Sequence, residues 1–76
     1  MKAQRPYPRA TITPKGEHAL VKGHPWVYEA EVLFMEGAPG QGDEVANGSL
    51  IDVVNRKGSY LGTGLLSKSS KIRIRL

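Results

Sequence analysis

The chain has 76 residues, no cysteine and a formal net charge of +4. A domain this short buries only about 60% of its unfolded surface, and its core supplies no more than roughly 3–5 kcal/mol net. Disulfide staples and a thiolate metal centre are excluded, no apolar run reaches the length of a membrane span, and a soluble cytoplasmic protein is expected.

The charge comes in blocks. Residues 1–28 hold five Lys/Arg and one acid, residues 29–55 six acids and no Lys/Arg, and residues 56–76 six Lys/Arg and no acid. If the two ends meet in space, they form a basic face with an acidic face elsewhere, which is an electrostatic footprint for nucleic acid. The plainer reading is solubilising charge.

Residues 1–9 read as a flexible arm, since Pro6, Pro8 and three basic residues leave little to bury. Residues 10–13 alternate small and β-branched side chains and predict a first strand. Thr13 is a candidate N-cap, and Pro14 suits the first helical position. The helix is expected over about 15–22, with Ala19 and Leu20 inward. Glu17 near its start and Lys22 near its end agree with the helix dipole. Gly16 weakens it, so tertiary packing must hold it.

Gly23-His24-Pro25-Trp26-Val27-Tyr28 is the organising motif. Gly23 can take the left-handed conformation that closes a helix, and Pro25 pushes His24 into extended geometry. Trp26, the only Trp, is expected to be a buried keystone whose replacement by Ala costs roughly 3–5 kcal/mol. The other reading of Trp26 is stacking on an unpaired base. Residues 31–35 form a short strand or a single turn. Residues 37–48, with four glycines, read as a surface loop. Gly40-Gln41-Gly42 lacks the third glycine and the following helix of a phosphate cradle.

Residues 50–54, a turn at 55–58 closed by Gly58, and residues 59–66 predict a hairpin. Tyr60, Gly62 and Gly64 share one face of the return strand, and Leu61, Thr63 and Leu65 the other. The glycines are read as letting the sheet coil sharply rather than as ligand contacts. Ile72, Ile74 and Leu76 alternate with Lys71, Arg73 and Arg75, so the isoleucines should face the core and the cations water or a phosphate backbone. The chain stops inside this strand, as a fragment of a longer protein would.

Several of these stretches carry a family resemblance. The short helix running into Gly23-His24-Pro25-Trp26-Val27 resembles the N-terminal PUA-type domain of large-subunit ribosomal RNA cytosine-5 methyltransferases. Ser49-Leu50-Ile51-Asp52-Val53-Val54-Asn55 with Gly58, Tyr60-Leu61-Gly62 and Gly64-Leu65 is similar to that domain's central hairpin. Ser70-Lys71-Ile72-Arg73-Ile74-Arg75 is similar to its closing Ser-x-Ile-x-x-Arg strand, with Arg75 matching the Arg. The match covers residues 10–76. It implies a mainly β, PUA-like pseudobarrel of about five to six short strands with one short helix.

In such domains the RNA surface is built from the short helix, the loops around it and the final strand. The resemblance therefore implies RNA contacts at Lys15, Lys22, Lys68, Lys71, Arg73 and Arg75, with His24 as a further candidate; a structural hydrogen bond is the plainer role for His24. The implied partner is RNA, specifically ribosomal. Nothing in the chain supports catalysis: it has no cysteine nucleophile, and its two histidines with scattered carboxylates make neither a triad nor a metal signature. The resemblance places S-adenosylmethionine and the methyl-transfer chemistry in a domain outside this chain. The competing reading is an SH3-like protein-interaction module whose acidic middle meets a basic partner.

Overall fold

A computed structural model describes residues 5–42 and 44–76. In chain order the elements are β1 (Arg9–Ile12), α1 (Pro14–Val21), β2 (Trp26–Tyr28), a 3-10 turn (Glu29–Glu31), β3 (Val32–Glu36), β4 (Leu50–Val54), β5 (Tyr60–Leu66) and β6 (Ile72–Arg75). The six strands form one sheet in the order β2-β6-β5-β4-β1-β3. β1 runs parallel to β4 and antiparallel to β3, and the other pairs are antiparallel.

That order forces the sheet to close on itself. β2 and β3 lie at opposite edges, yet only the turn Glu29–Glu31 separates them. Laid flat, five strand spacings would put those edges about 24 Å apart, whereas the four residue steps from Tyr28 to Val32 reach at most about 14 Å. The sheet therefore curls, and the expectation of a mainly β, PUA-like pseudobarrel holds.

α1 fits its sequence signals. The Thr13 hydroxyl accepts a hydrogen bond from the Gly16 amide (3.1 Å), and Pro14 opens the helix. At the other end the Gly23 amide donates to the Leu20 carbonyl and the His24 amide to the Ala19 carbonyl, with Gly23 at φ 98°. This pair of hydrogen bonds around a left-handed glycine ends the helix sharply and turns the chain into β2. Gly16 has a use the sequence did not show. A Cβ there would stand 3.2 Å from Glu31 and 3.3 Å from Ile12, so the missing side chain lets the helix sit against the sheet.

The core is aliphatic: Ala10, Ile12, Val27, Val45, Ile51, Val53, Leu66 and Ile74, with Leu20, Val32, Met35 and Leu61 packed against it. Trp26 is not in it. β2 has only three residues, and successive side chains take opposite faces. Val27 goes inward and is fully buried, so Trp26 and Tyr28 must go outward, Trp26 being 43% exposed. The expected buried keystone is therefore corrected: β-branched residues and leucines fill the interior, and the aromatics border it.

The hairpin is as expected. The turn at 55–58 is held by Asn55, whose side-chain oxygen accepts from the amides of Lys57 and Ser59, while its amide nitrogen donates to Glu17 on α1 (3.1 Å). On β5, a Cβ at Gly64 would fall 2.5 Å from the Arg75 carbonyl oxygen. The glycine marks the place where β6 lies hard against β5 as the sheet coils.

Of the expected arm, residues 1–4 lie outside the described residues. From Arg5 onward the chain lies on the sheet: the Pro8 carbonyl accepts from the Asp52 amide (2.8 Å), and Arg9 already belongs to β1.

Candidate nucleic-acid interface

The cap that ends α1 and the outward face of β2 make one surface. His24, Pro25, Trp26 and Tyr28 line a cleft of about 250 Å³, closed by Ala19 from the helix and Glu31 from the 3-10 turn. Gly23 and Pro25 set the direction in which the chain enters β2, and that direction aims both rings at solvent. Glu31 is held in place by accepting a hydrogen bond from the Tyr28 amide (2.9 Å). The His24 backbone amide donates to the Ala19 carbonyl as part of the helix cap, and the residue lines the cleft.

The cleft adjoins β6. Arg75 is the direct cross-strand partner of Trp26, and Leu65 is the partner of Arg75 on the next strand. Directly paired residues share a face, so an indole, a guanidinium and a leucine stand in one exposed row. Lys22 lies beside the cap at the cleft end of α1. Lys15 is at the helix start, about 10 Å away along the axis at 1.5 Å per residue. Lys71 is exposed on the loop entering β6, and its carbonyl is tied to the Glu29 amide (2.8 Å). Lys68 is exposed on the same loop, where its amide donates to the Asn47 side chain (2.7 Å).

Arg73 departs from the expected row of free cations. Its side chain is only 16% exposed, and its guanidinium donates to Glu29 and to the Lys68 carbonyl. The strand alternation does hold at Ile74, which is fully buried, and at Arg75, which is exposed; Ile72 is half-buried. Arg73 fails the pattern because the chain before Glu29 runs alongside β6 and offers an acid to it.

Among the described residues, ion pairs form at Arg5–Asp52, Arg9–Glu36 and Arg73–Glu29. Lys15, Lys22, Lys68, Lys71 and Arg75 make none there. Arg5, Arg9 and Arg73 are met by acids of the middle segment, while the other cations around α1 and β6 remain available to a polyanion.

Sequence reasoning missed the Arg5–Asp52 pair. Asp52 is 1% exposed. One carboxylate oxygen accepts from Arg5 Nε (2.7 Å) and the other from the Thr63 hydroxyl (2.6 Å). The hydrogen bond to Asp52 holds the Arg5 guanidinium above its ordinary pKa, with desolvation opposing it. The available signal was a lone acid inside the run Leu50-Ile51-Asp52-Val53-Val54, because a buried carboxylate requires a partner. Among the described residues no cluster of His, Asp or Glu could hold a metal ion, and no helix is long and apolar enough to cross a membrane.

Comparison with known proteins agrees with this architecture. A model of the PUA-like domain family matches residues 10–76. "Ribosomal RNA large subunit methyltransferase I" of Klebsiella pneumoniae (strain 342) is 34% identical over 70 residues, which is 92% of this chain and 16% of that protein. The proteins of the same name from Salmonella arizonae and Salmonella newport match with the same identity and coverage. The chain thus spans about one sixth of the length of these relatives. With the family model covering the helix and every strand residue but Arg9, this chain belongs to the PUA-like domain family.

Proposed function

We propose that this domain is the RNA-binding module of an S-adenosylmethionine-dependent ribosomal RNA methyltransferase of the cytoplasm, with cytosine C5 as the methyl acceptor. The cofactor and the methyl-transfer chemistry belong to a part of that protein outside this chain. The observation that carries the reading is the outward placement of Trp26 and Tyr28. A domain with so little core material keeps its only indole half in solvent, beside His24 and Arg75 and within reach of unpaired lysines. Exposed aromatics beside cations are what a single-stranded RNA reader needs: the rings stack on bases, and the cations meet phosphates.

Each residue has a role in this reading. Trp26 and Tyr28 stack on bases. The His24 imidazole hydrogen-bonds a base edge or a ribose hydroxyl. Lys22 and Arg75 flank the rings and take the adjacent phosphates; Lys15, Lys68 and Lys71 extend the track. Arg73 contributes only by holding Glu29 and the loop before β6 in position.

The test is to titrate the chain with a single-stranded ribosomal RNA fragment at several salt concentrations. Log affinity should fall linearly with log salt, by about 0.7 for each phosphate contact. Replacing Lys22 and Arg75 with Ala should flatten that slope and weaken all sequences alike, because phosphate contacts carry no base information. A domain that binds no RNA at low salt, or whose slope ignores the double substitution, is not built this way.

A further inference from the structure

A second cavity, of about 480 Å³, lies elsewhere on the barrel and shares no residue with the Trp26 cleft. It is lined by Arg5, Tyr7 and Arg9, by residues of the loop at 37–42, and by Asp52, Val54 and Tyr60. Its size falls within the range of small-ligand sites. Resting on the RNA-binding reading above, we propose that this cavity takes an unpaired nucleobase of the bound strand, as a second RNA contact separate from the Trp26 edge.

The argument begins with the planar groups. The Arg5 guanidinium lies over the Tyr60 ring at 4.6 Å and over the Tyr7 ring at 5.5 Å. Arg5 is fixed there, since its Nε is held by Asp52. Tyr60 is fixed as well. Thr63 gives its one proton to Asp52, so the Tyr60 hydroxyl donates to Thr63 (2.7 Å). A chain of contacts from a buried carboxylate thus holds a guanidinium and a ring in stacking order at a cavity wall. RNA readers stack bases on such surfaces.

Charge then narrows the ligand. The lining carries two arginines and two acids. Asp52 is covered and has both oxygens engaged, so it presents little negative charge to a ligand. The balance suits a neutral heteroaromatic ring rather than a cluster of phosphates. Arg9 pairs with Glu36 at 3.2 Å, with both side chains about half exposed. Such a pair is weak, so Arg9 can turn to the phosphodiester next to the base. Gly37, Gly40 and Gly42 also line the cavity without side chains, which lets a base edge approach backbone groups.

The experiment follows backbone amide and tyrosine ring NMR signals of the whole 76-residue chain at low salt. Three probes are added in turn: hexauridylate, hexaadenylate and a six-unit abasic ribose-phosphate oligomer. The proposal expects both base-bearing oligomers to shift Tyr60, Tyr7 and the loop at 37–42, and the abasic oligomer to leave them in place. Tyr60→Leu should weaken binding by about fivefold or more, the least that losing one stacked base would do. Tyr60→Phe keeps the ring but loses its bond to Thr63, and should bind more tightly than Tyr60→Leu.

Shifts at Trp26 with none at Tyr60 would overturn this proposal and leave the RNA-binding reading standing. Shifts at Tyr60 with none at Trp26 would support this cavity and remove the Trp26 edge from the RNA surface. Equal shifts from the abasic oligomer, or full affinity in a folded Tyr60→Leu chain, would also overturn it. No shift anywhere would remove both readings.

Discussion

Gly62 and Gly64 are both strand glycines two residues apart on β5, and the structure gives them opposite sensitivities. Neither has a positive φ, so alanine can adopt either backbone conformation. In each case the substitution gains about 0.4–1 kcal/mol by restricting the unfolded chain. At Gly62 the new Cβ would meet the Leu76 side chain at 2.5 Å. Leu76 is substantially exposed, so that methyl can rotate away, and Gly62→Ala should be near neutral. At Gly64 the new Cβ would meet the Arg75 carbonyl oxygen at 2.5 Å, its carbon at 2.8 Å and the Ile74 side chain at 2.9 Å. Backbone cannot rotate away, so β6 must shift, at a cost of about 1–3 kcal/mol. That is a large share of the roughly 3–5 kcal/mol expected for so small a core.

Urea unfolding followed by far-UV circular dichroism measures the difference. The unfolded-state gain is common to both variants, so with a slope near 1 kcal/mol per molar urea Gly64→Ala should unfold about 1 M or more below Gly62→Ala. The close contact of β6 on β5, and with it the tight coil of the sheet, would be refuted if Gly64→Ala unfolded at or above the midpoint of Gly62→Ala.

Two further substitution pairs test the packing. Val27→Ala removes two fully buried carbons and should cost roughly 1.5–3 kcal/mol in the same assay. Trp26→Phe should cost less than that, because the ring it replaces borders solvent; a larger loss would return Trp26 to the core. Arg5→Ala should lower the melting temperature more than Arg9→Ala, since Arg5 is the charge partner of the buried Asp52 while Arg9 pairs across the surface. Equal melting temperatures for the two would mean that Asp52 does not depend on Arg5.

Much of the fold was legible because local chemistry and tertiary demands agree. Thr13-Pro14 begins α1, with the Thr13 hydroxyl accepting from the Gly16 amide, and Gly23 ends it through the backbone hydrogen bonds of a left-handed cap. The hairpin from Leu50 to Leu66 follows from a β-rich run, an Asn-to-Gly turn and a second run. The site was less legible. A three-residue strand has no periodicity to reveal its inward face, so Trp26, Val27 and Tyr28 read as one apolar cluster although only Val27 is core. Arg73 looked like its neighbour Arg75 because the alternation is blind to Glu29, 44 positions earlier in the chain. The Arg5–Asp52 pair joins residues 47 apart and depends on β1 lying beside β4, a parallel pairing that no local signal announces.

Trp26 is the only tryptophan, so its fluorescence reports on the proposed RNA surface directly. Adding a single-stranded oligoribonucleotide at low salt should quench the emission to a saturating limit as a base stacks on the indole. Raising the salt should reverse the quenching as the phosphate contacts of Lys22 and Arg75 are screened. Saturable RNA binding, followed independently by a label on the RNA, with Trp26 emission unchanged, would contradict the assignment of this edge as the RNA surface.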